Sequence, residues 1–234
     1  MKISIGARRL KIRRILQVLN SHMVSAQISA ANARKSPRQA RSVNTVEAIF
    51  EATIQVLIAD GPGDLTTTRV AERAGVSVGS LYQYFPNKQA LFHAVNERYL
   101  TMLAERVEAA CLAHRGARYT EMADALVSTY IEVKIERRDV TIALYRAAAE
   151  IDVAGIVEAM SQRIEAASHA MFATASDAEF DNLATVNVMM LNVLCGTVRN
   201  VFDRHMSELL IDGGLQTQLT LMFCTYLAAA RIAA

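Results

Sequence analysis

The chain has 234 residues, of which 52% are hydrophobic and 21% charged. That composition excludes a disordered or fibrous polymer and allows one or two folded domains. The formal charge of +2 hides an asymmetry: residues 1–42 hold ten Lys or Arg and no acid, and the rest holds fifteen bases against all twenty-three acids. A basic end on an acidic body points to a polyanion met at the N-terminal side.

Met1–Leu19 interleaves basic residues with Ile3, Ile5, Leu10, Ile12, Ile15, Leu16 and Leu19. It has no small-residue cleavage site after a continuous apolar core, which argues against a secretory signal. Two readings are favoured equally, an arm that contacts DNA and surplus sequence ahead of a start at Met23. A membrane-surface helix and an organelle-targeting peptide are lesser readings. Ala30–Ser42, with Pro37, is expected as a polar, mobile linker.

From Val43 the apolar residues fall at three- and four-residue intervals. Val46, Ile49, Phe50, Ile54, Leu57 and Ile58 make one buried helix face, stopped by Asp60-Gly61-Pro62-Gly63. Thr66 is an N-cap for a short second helix carrying Val70, Ala71 and Ala74, and Gly75 ends it. Ser77 caps a third helix that Pro86 closes, and Asn87 caps a fourth carrying Leu91, Phe92, Val95, Tyr99 and Leu103 towards His114. Beyond Gly116 the pattern predicts helices over Thr120–Arg138, Asp139–Ile151, Gly155–Ala173, Asp181–His205 and Leu215–Ala233. The fold class is therefore all-α. Asn182–Val198 and Gly213–Ala230 lack charges, but their Asn, Gln and Thr residues suit packed helices better than membrane spans.

The segment LTTTRVAERAGVSVGSLYQYFPNKQAL, Leu65–Leu91, carries the chemistry. Leu81 and Phe85, four apart, face inward with Val70, Ala74, Val76 and Leu91, which fixes a two-helix crossing around Gly75-Val76-Ser77. Val78, Gly79, Ser80, Tyr82, Gln83 and Tyr84 are left for the outward side, as in a helix-turn-helix entering the DNA major groove. Val78 suits a thymine methyl, and Ser80 or Gln83 suits base edges. Tyr82, Tyr84, Thr67, Thr68 and Arg69 suit phosphates, Gly79 permits close approach, and Lys88 sits where a helix N-terminus also attracts phosphate.

On these residues (Thr66 followed by Val70-Ala71, then AGVSVGSLYQYF, Asn87-Lys88 and Leu91) the run from about Val43 to Leu103 resembles the N-terminal domain of TetR-family transcriptional regulators. The motif covers about a quarter of the chain. The resemblance implies three divisions: a basic extension over 1–42, a helix-turn-helix DNA-binding domain over 43–103, and an effector-binding and dimerisation domain over 104–234. It also implies a homodimer that offers two recognition helices to a palindromic double-stranded operator and leaves it when a small effector binds. Carried over by position, the DNA contacts are Thr67, Thr68, Ser77, Val78, Gly79, Ser80, Tyr82, Tyr84 and Lys88. Thr68 stands where some members carry a base-reading arginine.

The apolar pattern of the last two long helices predicts burial on several sides, and the resemblance implies that they pair with their counterparts, through Leu183, Met190, Leu194, Val198, Val201, Leu219, Phe223 and Tyr226, with an ordinary monomer core as the alternative. An effector pocket is expected among Met122, Tyr130, Tyr145, Met160, His169, Phe172, Met189 and Met190, with Tyr130, Arg146, Glu150 and His169 as polar anchors. Cys111, Cys195 and Cys224 lack a CxxC pair, which suits a reducing cytoplasm. Neither a metal nor a cofactor is expected, since His114, His169 and His205 lack ligand spacing. Nor does a phosphate loop or nucleophile motif suggest an enzyme. A helical small-molecule binder without DNA binding, and an enzyme acting on the pocket ligand, stand as the rival readings.

Overall fold

A computed structural model of the chain describes residues 37–204, 206 and 212–232. Nine α-helices carry most of the described residues. They are α1 (Pro37–Ala59), α2 (Thr67–Ala74), α3 (Val78–Tyr82), α4 (Lys88–Ala113), α5 (Tyr119–Glu136), α6 (Arg138–Ala147), α7 (Ala154–Phe172), α8 (Leu183–Asp203) and α9 (Gly214–Ala229). The proposed arm at Met1–Leu19 lies outside the described residues.

Three boundaries correct the sequence expectation. Helix α1 begins at Pro37, inside the expected linker, because proline at a first helical position has φ preset and no N–H left unpaired. Helix α6 stops at Ala147, and a tight turn carries the chain to Asp152, whose carboxylate accepts from the Ala154 N–H at 2.9 Å. Helix α9 stops at Ala229, because the chain beyond it pairs with the segment before α8. The Asp181 N–H donates to the Ala230 carbonyl at 3.0 Å, and the Ile232 N–H donates to the Glu179 carbonyl at 2.9 Å.

The chain divides after Asn44, and Thr45–Ala234 forms one compact unit. Within that unit the apolar side chains gather in two clusters. The first joins Ile49, Ala52, Val56 and Leu57 of α1 to Val70 and Ala71 of α2, Leu81 of α3, Phe85, and Leu91, Phe92 and Val95 of α4. Leu65 joins it from the loop before α2, and its remaining members were not expected there: Val140, Ala143, Leu144 and Ala147 of α6, with Ile151. The second cluster takes the other half of α4 (Leu103, Ala104, Val107, Cys111) together with α5, α7, α8 and α9. Helix α4 thus contributes to both. Each fully buried aliphatic or phenyl side chain stabilises by about 1.5–3 kcal/mol, so both clusters hold α4 firmly.

Ser42–Ala59 is long and apolar enough to cross a membrane by length and composition alone. Its Ile49, Ala52, Val56 and Leu57 are buried in the first cluster.

Candidate DNA-facing surface

The α2–α3 turn is built from caps, as the sequence requires. The Thr66 hydroxyl accepts from the Arg69 N–H at 3.2 Å and starts α2. Gly75 ends it at φ +69°, a left-handed conformation that a side chain makes costly, and the Val76 N–H closes the turn on the Ala71 carbonyl at 3.0 Å. The Ser77 hydroxyl then accepts from the Ser80 N–H at 3.0 Å and starts α3. The Asn87 side chain does the same for Ala90 at 2.8 Å and starts α4. Leu81 is 0% exposed and anchors α3 to the first cluster from its inner side.

Most of the expected contact residues face outward. Thr68, Arg69, Ser77, Gly79, Tyr82, Gln83 and Tyr84 are exposed, while Thr67, Ser80 and Lys88 are half-buried. Tyr82 is 49% exposed, and its hydroxyl lies 3.1 Å from the Thr67 hydroxyl, a bond that ties α3 to α2. Gly79 has no internal reason to be glycine: a Cβ there would meet nothing nearer than the Ser77 hydroxyl at 3.9 Å.

Two expected contacts are qualified by the geometry. Val78 is half-buried against the first cluster, so only part of it is available to a base. Arg69 pairs with Asp64 at 3.2 Å and Asp60 at 3.6 Å, so a phosphate must displace these acids. Both pairs are exposed and hold Arg69 only weakly. Arg73, one turn beyond Arg69 and exposed, was overlooked; the four-residue spacing of the two arginines is the signal.

The expected pocket residues occupy buried, half-buried and exposed positions. Met122, Tyr130, Phe172 and Met190 are buried in the second cluster, and Tyr145, Met160 and His169 are half-buried. Met189 contradicts the expectation: it is 49% exposed on the outer side of α8. A surface groove of about 570 Å³ lined by His114, Thr120, Glu121, Asp124, Ala125, Ser128, Thr129 and Glu132 includes none of the eight. Of the expected anchors, Arg146 and Glu150 point to solvent. Tyr130 and Tyr145 do meet, around a residue that the sequence reading passed over. Lys134 is buried, with Nζ 5.0, 5.6 and 5.0 Å from the ring centroids of Tyr99, Tyr130 and Tyr145. Burial pushes this ammonium down to about 8 and the Tyr99 phenol up to about 12. The signal was Tyr130 and Lys134 one turn apart on an otherwise apolar stripe.

Residues 49–95 match the family described as bacterial regulatory proteins, tetR family, and residues 120–227 match the tetracyclin repressor-like C-terminal domain. The chain belongs to the TetR family. Among proteins of similar sequence, the class C tetracycline repressor of Escherichia coli is 43% identical over 56 residues, 24% of this chain and 26% of that protein. The nucleoid occlusion factor SlmA of Actinobacillus pleuropneumoniae is 51% identical over 39 residues, 17% of this chain and 19% of that protein. The chain therefore spans about a quarter or less of the length of these relatives. The fold extends further. The fatty acid degradation regulator FadR from Bacillus halodurans superposes with a TM-score of 0.62 at 15% identity, covering 76% of this chain and 96% of that one.

The TetR-type C-terminal helices correct the expected dimer residues. Met190, Leu194, Val198 and Val201 of α8, and Leu219 and Phe223 of α9, are buried within this subunit's own core and are not available to a second copy. Leu183 is half-buried and Tyr226 is exposed. The outward stripes instead carry Met189, Asn192 and Gly196 on α8, and Leu221 and Met222 on α9. Helical spacing puts positions 190, 194, 198 and 201 on one side and 189, 192 and 196 on the other.

Proposed function

We propose that this TetR-family chain is a sequence-specific DNA-binding transcriptional regulator, a repressor that a small-molecule effector releases from its operator. The observation that carries this reading is α3 and the turn after it: Leu81 locks one side into the core while Gly79 and Tyr82, and Gln83 and Tyr84 just beyond the helix, are exposed. An exposed side of that kind on a short capped helix fits a major groove. The DNA contacts are Thr67, Thr68, Ser77, Val78, Gly79, Ser80, Tyr82, Gln83, Tyr84 and Lys88, with Arg69 contributing once its acids give way.

The working unit is a homodimer, with its two α3 helices set for successive major grooves about 34–36 Å apart. Supporting this, Leu221 is 58% and Met222 53% exposed, beside Met189 and Tyr226 on the same two helices. Large apolar side chains exposed on the two helices are what an interface would cover. The DNA-binding domain spans 43–103, the effector and dimer domain spans 104–234, and the cytoplasm, where operators lie, is the site of action. Effector binding reaches the DNA-binding end through α4 and α6, the helices whose side chains enter the first cluster from the C-terminal side.

Footprinting on DNA flanking the protein's own gene tests the reading, with scrambled DNA and a salt series as controls. A protected palindrome whose affinity falls as salt rises is expected. A protein that ignores specific and scrambled DNA alike at every ionic strength removes the proposal.

A further inference from the structure

A buried ammonium without an anion beside it stands apart from the rest of this fold. Lys134 is 1% exposed. The Arg199 guanidinium lies 5.0 Å from the Tyr145 centroid, so two cations share that one ring. Among the described residues no Asp or Glu pairs with Lys134, and no acceptor takes a hydrogen bond from Nζ. The nearest carboxylate to Arg199 is Asp203, 3.5 Å away on the same exposed helix face.

Three ring faces offset part of the lost hydration of the ammonium, but they do not replace a counter-ion. A methionine would fill the same volume without that penalty, so packing alone does not account for a lysine here. The surrounding polar groups, the Tyr130 hydroxyl near Tyr145 and Cys195 and the Cys195 thiol, are held neutral by burial. With Arg199 paired to Asp203, Lys134 is the positive charge here without a carboxylate partner among the described residues, and in apolar and phenolic walls it matches a single negative charge on an apolar body.

We propose that Lys134 is the anion-binding group of the effector site and takes the carboxylate of a small organic acid whose apolar body lies among Tyr99, Tyr130 and Tyr145. The proposal rests on reading the chain as a ligand-responsive regulator. It also supplies a route for the signal. The Thr141 hydroxyl donates to the Lys134 carbonyl at 2.9 Å and accepts from the Tyr99 hydroxyl at 2.6 Å. Thr141 lies on α6 beside Val140, which packs in the same cluster as Leu81 of α3.

The test is titration calorimetry on the full chain with benzoate, phenylacetate and hexanoate, each beside its amide. At least one acid binds, with its amide weaker by about 30-fold or more, and Lys134→Met removes the preference while helical circular dichroism is kept. The wild-type comparison decides even if the variant fails to fold. Equal binding of acid and amide, or no binding by any acid, overturns the proposal, as does a preference that survives Lys134→Met. A gel shift on the footprinted DNA keeps the two readings apart. DNA binding without an acid preference removes this inference alone, and acid binding through Lys134 without DNA binding removes the regulator.

Discussion

Replacing Gly79 with alanine separates folding from docking at the centre of α3. Inside the protein the new methyl finds open space, since its nearest neighbour is the Ser77 hydroxyl at 3.9 Å. Alanine is favoured over glycine in a helix by about 0.5–1 kcal/mol, and the five-residue length of α3 suggests the lower end. The melting temperature is therefore expected to hold or to rise by about 1–2 °C. Against DNA the sign reverses. A carbon standing about 1.5 Å beyond Cα occupies the space through which the helix backbone approaches the groove. A loss of about 1 kcal/mol at each of two half-sites weakens the dimer by roughly 30-fold. Fluorescence anisotropy on the footprinted operator, alongside thermal melts, measures both quantities. A variant that binds within about threefold of wild type shows that Gly79 does not meet the duplex.

Three further outcomes are expected. Tyr82→Phe removes both the 3.1 Å bond to Thr67 and a phosphate donor, so binding falls about 2- to 10-fold on specific and scrambled DNA alike. Loss confined to the operator in gel shifts would show that Tyr82 reads bases instead. Leu221→Glu with Met222→Glu puts two charges on the outer face of α9 without touching the core, and light scattering is expected to report a monomer with unchanged helicity; an intact dimer contradicts the interface. Lys134 sets a pH signature. Its folded-state value near 8 lies below the unfolded 10.5, so folding binds fewer protons between those values and stability rises with pH through that window, by about 2 kcal/mol from pH 8 to 9.5. The raised Tyr99 phenol takes effect only above pH 10, where it acts in the opposite sense. Lys134→Met is expected to melt above wild type at pH 7 with a gap that narrows by about 2 kcal/mol as pH rises to 9.5, and a constant gap refutes the buried charge.

The helix-turn-helix was legible because its signals are local. Thr66, Gly75, Ser77 and Asn87 each act on the backbone within a few residues, so sequence alone places the caps that the structure shows. The C-terminal helices were less legible because their apolar residues nearly encircle them. In Leu221-Met222-Phe223 only packing decides that Phe223 goes inside and the other two stay out. The same applies to Met189 and Met190, neighbours of one type with opposite fates. Lys134 was passed over because a lone charge in an apolar stripe reads as a surface residue until its three tyrosines arrive from α4, α5 and α6. Val140, Ala143 and Leu144 carry an ordinary apolar helix pattern, and nothing in it says which of two clusters they join.

Helix α4 has 26 residues, about 39 Å of backbone, without a glycine or proline to bend it. Such an element behaves as a stiff lever: tilting it by about 5° at one end swings the other through roughly 3 Å. A displacement of that size is comparable to the step between stacked bases, so a small tilt at one end of the helix is enough to shift the other end out of register. What is sensed is then free to diverge between relatives so long as it still pushes on the same beam.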